Sequence, residues 1–81
     1  MSYKIGIIGG TGRQGRGLAY RWAQAGHEIL IGSRKVESAI TAVEELKERL
    51  QGVGNVTGMS NLEAVQTCDI AVLTVPYEAM R

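Results

Sequence analysis

The stretch Tyr3-Lys4-Ile5-Gly6-Ile7-Ile8-Gly9-Gly10-Thr11-Gly12-Arg13-Gln14-Gly15 decides the fold. Its front is short, apolar and β-branched, and predicts a buried parallel strand. The glycines from Gly9 to Gly12 predict a turn. From Arg13 to Ala25 the pattern is helical, with Leu18 and Trp22 on one face and Ala19, Ala23 and Ala25 nearby. Gly26 is expected to stop that helix as a left-handed cap. Within the turn, Gly10-Thr11-Gly12-Arg13-Gln14-Gly15 reads G-x-G-x-x-G. That motif alone is generic; directly after a strand and opening a helix, it is informative.

Each glycine then has a mechanical role. Gly10 permits the tight turn, Gly12 lets the backbone approach a pyrophosphate without a Cβ in the way, and Gly15 lets the helix pack on the strand. The free N–H groups at the helix start favour phosphate. The alternative is a glycine-rich turn with no ligand. A P-loop is rejected, because Arg16-Gly17 stands where Lys and a hydroxyl are required. Gly9, Gly12 and Gly15 also satisfy the spacing of short-chain reductases. The nearest match to their Tyr-x-x-x-Lys pair, Tyr77 to Arg81, ends in arginine and comes too early, so this reading stays as a lesser alternative.

Outward from this stretch, Glu28 to Gly32 predicts a second buried strand and Ser33 a cap for the next helix. Val36, Ala39, Ile40, Val43, Leu46 and Leu50 form an amphipathic stripe, with Glu45 and Arg49 expected to pair at i, i+4. Gly52 and Gly54 end that helix. Asn55 to Gly58 is a weak third strand. Ser60-Asn61-Leu62-Glu63 matches a capping box and opens a short helix to Thr67. Ile70 to Val75 predicts a strong fourth strand, ended by Pro76. The order β-α-β-α-β-α-β predicts an α/β fold: a Rossmann-like parallel sheet, incompletely doubly wound, in one domain over residues 1–81.

Dinucleotide folds that take NAD usually place an acid at the end of the second strand, about 20 residues past the loop, for the ribose 2′-hydroxyl. Here Gly32-Ser33-Arg34-Lys35 stands there. A hydroxyl and two cations in that place suit a 2′-phosphate and argue for NADP(H). The bland alternative is a capping serine beside two solvated cations. Arg13 is close enough to reach the pyrophosphate. Thr74, Val75 and Pro76, with Ala79 beyond, fall at the carboxyl edge of the sheet, where the nicotinamide half would lie.

Composition bounds the remaining classes. The first 36 residues carry six cations against one acid, and the remainder three against seven. A basic front half suits an anionic partner. The cations gather at the loop rather than along an aromatic-studded stripe, so a nucleic-acid role is not expected. One histidine and one cysteine exclude a structural zinc site in a monomer, and Cys68 cannot close an intramolecular disulfide. The run after Lys4 is too short for a signal peptide, and no apolar run approaches a membrane span. A cytoplasmic location follows as an expectation. His27 is expected to be an exposed connector, Cys68 a small core residue, and Asp69 a residue orienting backbone at its turn.

Ile7-Ile8-Gly9-Gly10-Thr11-Gly12, Gly15, Gly17-Leu18-Ala19, Gly26-His27-Glu28-Ile29, Gly32-Ser33-Arg34 and Cys68-Asp69-Ile70-Ala71-Val72-Leu73-Thr74-Val75-Pro76 together resemble the NADPH-dependent coenzyme F420 reductases, the deazaflavin:NADP oxidoreductase family. The resemblance spans essentially the whole chain. It implies hydride transfer between NADP(H) and coenzyme F420, with the protein binding and orienting two stacked rings. It implies that Thr11 to Gln14 meet the phosphates, Ser33 and Arg34 the 2′-phosphate, and Val75 and Ala79 the nicotinamide ribose. The family carries a further lysine one turn into its second helix; here Ser38 stands there, and Lys35 is the substitute. Members are more than twice this length, and their later segments build the deazaflavin pocket and a homodimer. The chain is therefore read as an N-terminal part. A non-catalytic dinucleotide-binding module, or the front of an imino-acid or ferric reductase, remains open on the residues alone.

Overall fold

The computed structural model describes residues 2–9, 12–52 and 54–74, with Arg13 described through its backbone only. Within it the order is β1 (Lys4–Ile8), α1 (Arg13–Gln24), β2 (Glu28–Ser33), α2 (Val36–Leu50), β3 (Asn55–Ser60), α3 (Asn61–Thr67) and β4 (Ile70–Leu73). The strands form one parallel sheet in the order β3-β2-β1-β4. Chain direction across the sheet reverses between β1 and β4, the switch point at which open α/β sheets form a crevice.

Alternation along the strands separates two faces. Ile5 and Ile7 of β1, in register with Ile29 and Ile31 of β2, point one way. They pack with Val56 of β3 and with Ala19, Ala23, Ala39, Val43, Leu46 and Leu50 of α1 and α2. On the other face Gly6 and Gly32 lie under α3. A Cβ on Gly6 would sit 2.9 Å from Cys68 Cβ, and one on Gly32 only 2.8 Å from Asn61 Oδ1. The missing side chains let a seven-residue helix lie close on the sheet. Gly58 does the same for α2, whose Ala39 carbonyl would be 2.8 Å from an added Cβ.

The helix ends show what local sequence does and does not specify. Gly26, at φ +98°, closes α1 as expected. Gly26 N–H donates to Ala23 O and His27 N–H to Trp22 O, the paired bonds of a Schellman cap. The Ser60 cap of α3 also forms: Ser60 Oγ accepts the Glu63 N–H at 3.2 Å, and its hydroxyl donates to Glu63 Oε1 at the same distance in place of the reciprocal backbone bond of a full capping box. Ser33, by contrast, caps no helix. It is the last residue of β2, buried at 7% exposure, and Lys35 holds the N-cap position of α2 without a side-chain bond. β2 runs one residue further than predicted because Ser33 pairs in register with Ser60 of β3, itself two residues longer than expected.

The stripe on α2 is rotated from the predicted one. Ala42 is buried, whereas Val36 and Ile40 are exposed, Ile40 at 46%. Ala39 meets the sheet beside Val43, Leu46 and Leu50, while Val36 and Ile40 turn outward. Glu45 does not pair with Arg49. It forms an ion pair with Arg16 of α1, while the Arg49 guanidinium lies 4.8 Å from the centre of the Tyr20 ring. Arg16 thus ties α1 to α2. β4 is shorter and more open than its apolar sequence predicts. It spans four residues at the sheet edge, and Leu73 is 73% exposed. No helix among the described residues is long and apolar enough to cross a membrane.

Candidate functional site

The carboxyl ends of β2, β1 and β4 open onto one cleft of about 770 Å³, within the size range of small-ligand pockets. Ile8 and Gly9 come from the end of β1, Ser33, Arg34 and Lys35 from the end of β2, and Leu73 and Thr74 from the end of β4. Ser38 and Asn61 enter from α2 and α3. Parallel strands put these residues, up to 66 positions apart, on one edge.

The chain leaves β1 through Gly9 at φ +74°, a conformation that glycine adopts without strain. A Cβ there would also meet Thr74 O at 2.8 Å. Thr74 closes the joint: its N–H donates to Ile8 O, and its hydroxyl is shared between Ile8 O and Gly9 O, all at 3.0 Å. The chain is next described at Gly12, the N-cap of α1, which has no side-chain cap bond and no acid in the first turn that follows. The first helical bond runs from Arg16 N–H to Gly12 O. The N–H groups of Arg13, Gln14 and Gly15 therefore have no helical acceptor and present the positive end of the helix. Gly15 is buried and Gln14 exposed. A Cβ on Gly12 would meet nothing within 4 Å among the described residues. Its φ of −75° suits any residue, so among the described residues neither packing nor backbone geometry requires glycine there. The open space at this helix end fits the close approach of a pyrophosphate.

The second half of the cleft is cationic. Arg34 and Lys35 are exposed beside buried Ser33, whose Oγ accepts the Lys35 N–H at 3.3 Å. That bond turns the chain sharply out of β2 and leaves the hydroxyl proton of Ser33 for another acceptor. No acidic side chain lines the cleft among the described residues. The sequence-predicted residues Ser33, Arg34, Lys35 and Thr74 are thus brought together, while Gly12, Gln14 and Gly15 form the adjoining helix start. Gly10, Thr11, Val75, Pro76, Ala79 and the Arg13 side chain lie outside the described residues.

Asn61 is the site residue that sequence reading missed. It served only as a spacer within the capping box, yet its Oδ1 accepts the Gly9 N–H at 3.1 Å. The box itself was the available signal, since it sets the first residue of α3 at the carboxyl edge of the sheet. His27, expected to be an exposed connector, is half-buried: its Nδ1 accepts the Tyr3 N–H at 3.1 Å, and the two rings lie 5.7 Å apart. Asp69 orients backbone as expected, its Oδ2 accepting Lys4 N–H at 3.0 Å while its own N–H donates to Lys4 O.

Residues 4–81 match the family model described as NADP oxidoreductase coenzyme F420-dependent. The chain is 46% identical over 77 residues to the F420-dependent NADP reductase of Methanothermobacter marburgensis, covering 94% of this chain and 34% of that protein. Its identity to the enzyme of the same name from Methanothermobacter thermautotrophicus is 46% over 81 residues, covering 98% and 34%. For that from Methanocaldococcus jannaschii it is 45% over 78 residues, covering 93% and 34%. The chain spans about a third of the length of these curated relatives. The glycine turn, the Ser33-Arg34-Lys35 corner and the parallel sheet that joins them are parts of one matched segment, and the chain belongs to the coenzyme F420-dependent NADP oxidoreductase family.

Proposed function

We propose that this chain is the NADP(H)-binding part of an oxidoreductase that passes hydride between NADP(H) and coenzyme F420. The observation that carries the reading is the single cleft. It sets a cationic corner at Ser33, Arg34 and Lys35, with no acid among its described lining residues, beside Gly9, three residues before Gly12, the uncapped start of α1. Bound there, NADP(H) supplies the hydride chemistry. The N–H groups of Arg13, Gln14 and Gly15 take the pyrophosphate, and Gly10 and Thr11 are assigned to the same contact. Arg34 and Lys35 take the 2′-phosphate, Arg34 through its planar fork, and the Ser33 hydroxyl donates to it. Thr74 holds the loop against β4, and Val75, Pro76 and Ala79 are assigned to the nicotinamide side. The printed names of the relatives support F420 as the second partner. The partner of this chain is a small dinucleotide rather than nucleic acid. A homodimer and a cytoplasmic location belong to the same proposal.

Titration of the chain with NADPH and NADH tests the binding reading. Tighter NADPH binding is expected, and equal affinities would refute the assignment of Ser33, Arg34 and Lys35. For the reaction, the oxidoreductase carrying this segment is expected to consume NADPH and oxidised F420 one for one. Consumption of NADPH with no change in F420 would overturn the choice of partner.

A further inference from the structure

Gly9 is gripped on both sides of its α-carbon. Thr74, from β4, holds its carbonyl through the shared hydroxyl at 3.0 Å. Asn61, from α3, holds its N–H at 3.1 Å. The second grip spans an unusual path. Asn61 directly follows β3, and its carboxamide, lying over Gly32 of β2, accepts from Gly9 just past the end of β1, the next strand of the β3-β2-β1-β4 sheet. The crossing is made over Gly32, where an added Cβ would stand 2.8 Å from Asn61 Oδ1 and 3.1 Å from its Cα. Gly32 pairs with Ile8 on one side and Met59 on the other, so the strut lies at the last paired row of β1 and β2 and one row before the last pair of β2 and β3. The Ser60 cap places α3 so that position 61 falls there.

We propose that Asn61 is a positioning residue of the dinucleotide loop. By accepting the Gly9 N–H it fixes the direction in which the chain leaves β1, and hence where the loop and the first turn of α1 meet phosphate. The role in binding rests on the NADP(H) reading above; the grip on Gly9 does not. Because the Gly9 N–H settles which end of the amide is oxygen, the Asn61 NH₂ is the end left to the cleft.

Amide exchange and NADPH titration on Asn61→Ala and Asn61→Asp separate the two claims. In Asn61→Ala, Gly9 N–H exchange is expected to accelerate about tenfold relative to the wild-type chain, with Ile7 and Ile31 unchanged. NADPH affinity is expected to fall about three- to tenfold, the range for one lost hydrogen bond. In Asn61→Asp the carboxylate still accepts from Gly9, so Gly9 protection is expected to return. NADPH affinity stays low, because the new charge opposes the phosphates. Unchanged Gly9 exchange in Asn61→Ala overturns the proposal. So does equal acceleration at Gly9, Ile7 and Ile31, which marks a general loss of stability, and so does failure of Asn61→Asp to restore Gly9. If the wild-type chain binds no NADPH, the NADP(H) reading fails, and the exchange arms still decide whether Asn61 sets the loop.

Discussion

Replacing Gly12 by alanine separates a glycine kept for a ligand from a glycine kept for the fold. Gly12 stands at φ −75°, ψ 169°, where any L-residue is comfortable, and the new methyl would touch no described atom within 4 Å. Two small stability effects oppose each other. Alanine is a poorer N-cap than glycine, which costs about 1 kcal/mol. It also narrows the unfolded ensemble, which returns about 0.4–1 kcal/mol. The net change is expected within about 1 kcal/mol, a shift of at most about 1 M in urea midpoint at a slope of about 1 kcal/mol/M. Binding should behave differently. The methyl stands where a phosphate must come to reach the N–H groups of Arg13, Gln14 and Gly15. Losing one charge-assisted bond costs about 1.5–3 kcal/mol, or roughly 10- to 150-fold in NADPH affinity. Urea unfolding and NADPH fluorescence titration on the same preparation read both quantities. Gly12→Ala binding NADPH as well as wild type would refute the cradle at this position. A stability loss above about 2 kcal/mol would show that the fold, not the ligand, requires glycine there.

Three other outcomes are expected. Arg34→Ala should weaken NADPH about tenfold or more while leaving NADH unchanged, since only the 2′-phosphate distinguishes them; parallel titrations check this. Gly58→Ala drives a Cβ to 2.8 Å from the Ala39 carbonyl and should cost about 1–3 kcal/mol in urea unfolding, because α2 must lift from β3. Ser60→Ala removes the acceptor for Glu63 N–H and should cost about 1 kcal/mol, measured the same way.

Local chemistry explains why so much of the fold could be read early. The β1 run, the Gly26 cap and the Ser60 cap each depend on residues within a turn or two of one another, and each forms as the sequence predicts. Misreadings arose where two elements compete for a residue. Ser33 has a capping side chain, but pairing with β3 draws it into β2, where its hydroxyl turns the chain instead. Ile40 has the hydropathy of a core residue, but α2 lies so close to Gly58 that Ala39 takes the contact and Ile40 is turned out. Glu45 had a partner four residues on in its own helix and found another on α1.

By itself, then, the amino-acid sequence determined a parallel α/β sheet, a glycine-rich link after the first strand, and a cationic corner in place of an acid after the second. Those features rest on periodicity, on glycine's missing side chain and on charge, all of which are local. Tertiary structure alone decided that Asn61 and Thr74 would meet at Gly9. They lie 52 and 65 residues away along the chain, and they arrive there because sheet order puts β3 and β4 on opposite sides of the β1–β2 pair. No local rule encodes a carboxamide laid across a strand. It exists because Gly32 leaves the space, and because parallel strands end together at one edge.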